Sequence, residues 1–318
     1  VTPRHYVCPR ADEHWETDGR LDKPIWERAP WSDAFVDIHE GPIPRHETRV
    51  KMLWNYEGLH IGAWLEEPHL WATLTDHDSV IFQDNDFEVF LDPDGDHHLY
   101  YEIEVNALGT EWDLLLVKPY RDGGPAMNAW EIEGLRVGVH LDGTLNDPSD
   151  QDRGWSVEIA LPWAVLGQAA GVRCPPEPGD QWRINFSRVQ WTLDVIDGRY
   201  VKRPGLPEDN WVWTPQGAID MHRPERWGFL QFAEDADAPF VLDPDWEIRE
   251  ALIAVYHAER AHLAAHGSWS DSLVELGLSL PDIELHTSPV GFVALAPCAS
   301  GGRLAIREDS RLWREGRA

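Results

Sequence analysis

From Asp84 to Asn106 the chain reads DNDFEVFLDPDGDHHLYYEIEVN, an alternation of apolar and polar residues with a period of two. That period belongs to extended strands, whose successive side chains point to opposite faces. The run is broken at Asp92-Pro93-Asp94-Gly95-Asp96, a cluster of turn-forming residues. The spacing predicts a hairpin folded about Gly95. Phe87, Val89, Leu91, Leu99, Tyr101, Ile103 and Val105 then form an apolar face. Asp84, Asp86, Glu88, Phe90, Tyr100, Glu102, Glu104 and Asn106 form the other. In that register Glu88 stands opposite Glu102 and Asp86 opposite Glu104. Like charges facing each other weaken a ladder, so such a stripe points to a polyhydroxylated ligand or a hard cation. The alternative is a solvated outer face on an acidic protein.

The chain has 318 residues and a formal net charge of −29, a balance that repels nucleic acid and anionic lipid. No run approaches the length of a membrane span, so membrane insertion is not expected. Val1 is not followed by an apolar leader. Lysine occurs only at positions 23, 51, 118 and 202, a bias without a binding signature. Cys8, Cys174 and Cys298 are odd in number and lack metal-ligand spacing, which allows one disulfide but no disulfide framework.

Short alternating segments separated by Gly, Pro and Asp turns recur at about 33–38, 49–55, 58–66, 85–92, 98–106, 111–117, 134–140, 154–161, 181–188 and 227–232. The expected fold is mainly β, an antiparallel β-sandwich over residues 1–234. Trp155, Val157, Ile159 and Leu161 share one face, as do Trp182, Ile184 and Phe186, while Arg183, Asn185 and Ser187 face the other way. Trp64 falls on the polar parity of its strand, where an amphipathic ring suits binding. The longest irregular stretch, 190–226, carries Trp191, Trp211, Trp213, Met221 and His222. Long loops of that kind are commonly functional. Residues 235–318 read as a small C-terminal α+β appendage. It contains a helix capped by Asp243 and ended by Gly267, a shorter helix from Ser270 to Gly277, and strands near 283–287, 290–296 and 303–307.

The order of Asp18-Gly-Arg-Leu-Asp and Trp26, Val50-Lys-Met-Leu-Trp, Asn85-Asp-Phe-Glu-Val-Phe-Leu-Asp, Tyr100-Tyr-Glu-Ile-Glu-Val-Asn-Ala-Leu-Gly-Thr, Trp155-Ser-Val-Glu-Ile-Ala-Leu-Pro-Trp and Trp227-Gly-Phe-Leu resembles the family 9 carbohydrate-binding modules and their DOMON-like relatives. The resemblance covers about residues 15–232. It implies a jelly-roll type sandwich that binds sugar, with structural calcium and frequent attachment to secreted glycoside hydrolases. It also implies a secreted or periplasmic setting, with a cytoplasmic one as the alternative. In that family a sugar end lies between two tryptophans and is read by a glutamate, an arginine and amides. The glutamate position falls on Glu88 and the amides on Asn106 and near Asn185. The sequence departs at three places: Phe82 and Met221 stand at the clamp positions and Glu104 at the arginine. Those departures imply altered specificity, or a site moved toward Trp64, Trp211 or Trp213.

Three function classes follow. The leading one is a noncatalytic protein that binds an oligo- or polysaccharide through the carboxylate and amide face. The second is a glycoside hydrolase drawing its acid and base or nucleophile from Glu88, Glu102 and Glu104, since opposed carboxylates supply the spacing that chemistry needs. The third, a haem module, is disfavoured, because Met221 and His222 as strand neighbours would diverge. Calcium candidates are Asp92, Asp94 and Asp96 in the hairpin turn and Asp147, Asp150 and Asp152 in the 146–152 loop. The first group lacks the closing glutamate of an EF-hand loop, where Ile103 stands. No nucleotide cofactor is expected.

Overall fold

The computed structural model describes residues 3–39, 41–280 and 282–315. Two sheets face each other. The larger runs His5–Pro9, Gly228–Ala233, Gln181–Gln190, Asp86–Asp92, Tyr100–Asn106, Glu111–Leu116 and Ala126–Met127. Asp209–Val212 joins the outer end of Gln181–Gln190 and itself pairs with Val36–Asp37. The smaller runs Thr48–Trp54, Gly58–Glu66, Gly154–Pro162 and Arg136–Asp142. Among the described residues the strands of the sandwich pair antiparallel except His5–Pro9 with Gly228–Ala233, which is parallel, and Arg10 makes an isolated parallel bridge to Trp54.

The core lies between the sheets, and the odd-numbered residues of the hairpin supply one side of it. Phe87, Val89, Leu91, Tyr101, Ile103 and Val105 pack against Val50, Met52, Ile61, Leu65, Trp155, Val157 and Ile159 in one buried cluster. Period-two patterning therefore places these residues correctly. Leu99 is the exception: it is 42% exposed at φ +51° in the turn.

The hairpin closes in a different register from the one expected. Asp86 pairs with Asn106, Glu88 with Glu104 and Phe90 with Glu102. The turn is longer than a tight fold about Gly95, because the C-terminal region grips it. His97 Nδ1 meets Ser310 O at 2.9 Å, His98 Nε2 meets Asp309 O at 2.9 Å, and Leu312 N donates to Asp96 O at 3.0 Å. A slip of two preserves which face each side chain takes and changes only its partner.

The C-terminal region has its own apolar cluster. The helix Trp246–His266 lays Leu252, Ile253, Val255 and Tyr256 against a sheet of Glu284–Ser288, Gly291–Pro297, Arg303–Arg307 and Leu312–Arg314. Gly267 ends the helix in the left-handed conformation at φ 76°, its N–H donating to Leu263 O. The helix starts later than Asp243 suggests, since that carboxylate holds Asp245 N and Arg249 instead. The segment from Ser270 to Gly277 forms turns rather than a helix.

Candidate functional site

The even-numbered face of the hairpin is not solvated. Phe90, Tyr100, Leu114, Leu116, Val212, Met221 and Trp227 form a second apolar cluster on the outside of the larger sheet, beneath the 209–227 segment. The acids lie beside it on the same face and are nearly buried, with Glu88, Glu102 and Glu104 retaining 5, 4 and 2% exposure and Asp86 none. Oxygens of Asp86, Glu88 and Glu104 come within 4.8 Å of one another. Two charges at that spacing repel by about 3 kcal/mol at an effective dielectric of 20. Burial pushes the Glu88 carboxyl up to about 7. Burial and the neighbouring acids push Asp86, Glu102 and Glu104 well above the ordinary carboxylate range.

Few donors reach these acids. Asp86 Oδ1 accepts from Val189 N at 3.0 Å, and Glu104 Oε2 accepts from Phe82 N at 2.9 Å. Asp86 Oδ2 and Glu102 Oε2 are buried without a partner. Ser187 stands directly across the ladder from Glu88 and is fully buried. Its hydroxyl moderates the Glu88 pKa yet makes no hydrogen bond of normal geometry.

Aromatic rings edge these acids. Phe82, half-buried, sits in the short 3-10 turn Ile81–Gln83 whose backbone holds Glu104. Trp112, also half-buried, is the ladder partner of Glu104 and shares its face. Tyr120 is half exposed, and its phenol is pushed up to about 12 by burial and by Glu102 and Glu104. Its ring meets His222 edge-on, with centroids 4.4 Å apart. His222 Nδ1 contacts the Tyr100 hydroxyl at 2.9 Å, and burial beside Arg121 brings its pKa down to about 4, so the imidazole is neutral. Trp191 Nε1 donates to Phe82 O at 2.9 Å and carries the Lys202 ammonium 3.6 Å above its ring.

The C-terminal region fixes this rim. Arg121, next to Tyr120, makes a two-pronged pair with buried Glu225 at 3.0 and 2.8 Å and donates to Tyr256 of the long helix at 3.2 Å. Asp122 accepts from Tyr256 at 2.6 Å and from Ser310 at 2.7 Å.

The structure brings together Phe82, Glu88, Glu102 and Glu104 and withdraws the other expected site residues. Asn106 is fully engaged, donating to Leu74 O and Asp84 and accepting from Leu108 N and Thr110 N. Asn185 exchanges two bonds with the Thr214 backbone. Both amides therefore hold loops rather than a ligand. Trp211 and Trp213 take the inward parity of their strand and lie in the sandwich core. Trp64 lies on the outside of the smaller sheet, across the sandwich from Glu88. Met221 packs in the apolar cluster and offers Trp227 Nε1 its carbonyl.

The turn acids Asp92, Asp94 and Asp96 do converge. Both oxygens of Asp92 accept turn N–H groups from Gly95 and His97, and Asp96 holds His98 N and Arg311. This turn is closed by its own backbone and fits a calcium cage poorly. Asp147 caps Ser149 N, Asp152 clamps Leu70 N and Thr144 N, and Asp150 is exposed. Among the described residues these three form no convergent group. The three cysteines are free.

Sequence reasoning missed Trp112, Tyr120 and Ser187. A signal for Trp112 was available, since Trp112, Leu114 and Leu116 continue the even parity of the hairpin face onto the next strand. A larger cavity of about 830 Å³ runs along Pro42–Pro44, Arg183, Glu225–Gly228 and Trp246. Its buried charges are already paired or bonded to backbone, as for Arg183 with Pro224 and Glu225 carbonyls and Glu225 with Arg121.

Residues 17–174 match the family model described as carbohydrate family 9 binding domain-like. A solved structure from Bacteroides uniformis ATCC 8492, described as a candidate carbohydrate-binding protein, shares the fold at 16% identity and a TM-score of 0.52, over 73% of this chain and all of that one. A carbohydrate binding module family 9 from Caldicellulosiruptor kristjanssonii is also similar in two structures. Its complex with glucose has 15% identity and a TM-score of 0.48, over 75% of this chain and all of that one. Its complex with cellotriose has 16% identity and a TM-score of 0.47, over 76% and all. No curated protein sequence is matched by this chain. Among the described residues no helix is long and apolar enough to cross a membrane.

Proposed function

We propose that this protein is a noncatalytic, secreted or periplasmic carbohydrate-binding protein whose saccharide sits above Glu88, Glu102 and Glu104. The observation that carries this reading is the placement of partly buried Phe82 and Trp112 and exposed Tyr120 around carboxylates that few protein donors reach. Planar rings stack on the apolar faces of sugars, and buried acceptors without partners match ligand hydroxyls. Binding fits better than hydrolysis. The match of residues 17–174 to a carbohydrate-binding family model supports binding over hydrolysis.

Calorimetry against a panel of plant and algal oligosaccharides tests the reading. A ligand of wild-type protein is expected to weaken about tenfold or more, ~1.4 kcal/mol, in Phe82→Ala and in Glu88→Gln. Unchanged affinity in both folded variants would place the site elsewhere. Sugars released from a chromophoric glycoside by wild type, but not by Glu88→Gln, would replace binding with catalysis.

A further inference from the structure

Four carboxylates share this face, yet among the described residues Lys, Arg and His make no ion pair with any of them. Saccharide hydroxyls supply no positive charge to offset these acids when they ionise, and burial with mutual repulsion opposes their ionisation. We propose that this cluster is a site for one hard divalent cation of the calcium type, held by Asp86, Glu88 and Glu104, whose open side meets a pair of saccharide hydroxyls.

The donor set is all oxygen, as hard cations require. Calcium–oxygen distances are about 2.3–2.6 Å, so ligands on opposite sides of one ion stand about 5 Å apart. The three carboxylates fall within that span, at 4.8 Å or less. Two further groups point to the same ligand. Ser187 Oγ, buried across the ladder from Glu88, lacks a hydrogen-bond partner, and so does Glu102 Oε2 beside the trio. Asp86 uses one oxygen on Val189 N and leaves Oδ2 free. The backbone bonds from Val189 and Phe82 fix two of the three carboxylates before any ion arrives. Glu88 and Glu104 retain slight exposure, which leaves the upper side of the ion to solvent or ligand. The cation itself stands independently of the saccharide; its bridging role rests on the proposed function.

The test uses full-length protein stripped with chelator. Terbium luminescence, sensitised by the nearby tryptophans and competed by calcium, reads the site, and calorimetry reads its affinity. Asp86→Asn and Glu104→Gln are expected to weaken cation binding at least tenfold, whereas Asp197→Asn on an exposed turn leaves it unchanged. In chelator both variants are expected to melt at or above wild type, because a buried like charge has been removed, and to lose the gain that calcium gives wild type. Wild-type protein that binds neither ion at millimolar concentration, or variants that bind as wild type does, would overturn the site. Calcium binding without any glycan binding would support the cation and overturn the saccharide reading. Glycan binding undiminished by chelator would overturn the bridging role.

Discussion

Glu158 and Glu88 occupy equivalent places on the two sheets, each buried on a side chain that points away from the sandwich core, and their surroundings differ completely. Glu158 is 2% exposed and fully answered by the protein. Trp26 Nε1 donates at 2.7 Å, Lys23 at 2.6 Å, and the N–H groups of Asp18 and Gly19 at 2.9 and 2.8 Å. Gly62 and Gly138 flank Glu158 on the neighbouring strands. A Cβ at either would strike the covering segment, meeting Leu21 at 2.6 Å or Gly19 N at 2.6 Å. The smaller sheet is thus shaped to let residues 17–26 lie flat on its acid. Over the larger sheet the covering segments bring rings and the Phe82 N–H, and among the described residues no cation pairs with the acids there. One acid completes the fold, and the other group stays unanswered within it.

The largest effect expected from this contrast is on stability at Glu158. Removing one partner of a buried, hydrogen-bonded ion pair leaves the rest desolvated and costs about 3–5 kcal/mol. Glu158→Leu strands the Trp26 indole, the Lys23 ammonium and two backbone donors. Urea denaturation should show a loss near the lower end, since Lys23 keeps a side-chain exposure of 20%. A change under about 1 kcal/mol would mean that Glu158 resembles a surface pair, and the contrast with the larger sheet would collapse.

The opposite sign is expected at the larger sheet. Glu102→Gln removes a negative charge beside Glu88 and adds an amide donor to a cluster rich in acceptors. In cation-free buffer at pH 8 this should raise stability by about 1 kcal/mol. A loss comparable to that of Glu158→Leu would show that Glu102 has a structural partner its surroundings do not otherwise reveal.

The same contrast explains what could be read from the sequence. The sandwich and the two faces of the hairpin were legible, because alternation is a local property and a register slip of two preserves it. The exact pairing was not, because the turn at 93–99 is held by Ser310, Asp309 and Leu312, more than 200 residues away in the chain. Glu88 was placed on this face by alternation and Phe82 came only from the resemblance. Tyr120 could not be found, since its place depends on Arg121 reaching Glu225 and Tyr256 across the molecule. Asn106 and Asn185, expected to read a ligand, bond neighbouring loops for a related reason. A polar residue on the correct face can serve a neighbouring loop as readily as a ligand, and parity does not distinguish the two.

The smallest effect concerns a third buried acid, which tests whether an answered carboxylate behaves as such in solution. Asp245, at the start of the long helix, accepts from Ser300 N at 3.2 Å, from the Ser300 hydroxyl at 2.5 Å and from Arg314. Burial alone would raise its pKa, but the hydrogen bonds from Ser300 and Arg314 outweigh it and hold the carboxyl at about 2. The folded pKa therefore lies below the unfolded value of about 3.9. A depressed carboxyl binds fewer protons in the native state, so its stabilising contribution is complete above the unfolded pKa and is lost as pH falls toward 2. Asp245→Asn should lower stability slightly at pH 6 and flatten the acid limb between pH 4 and 2, as followed by tryptophan fluorescence. An acid limb of unchanged slope would show that Ser300 and Arg314 do not hold the charge, and would place Asp245 with the unanswered acids of the larger sheet rather than with Glu158.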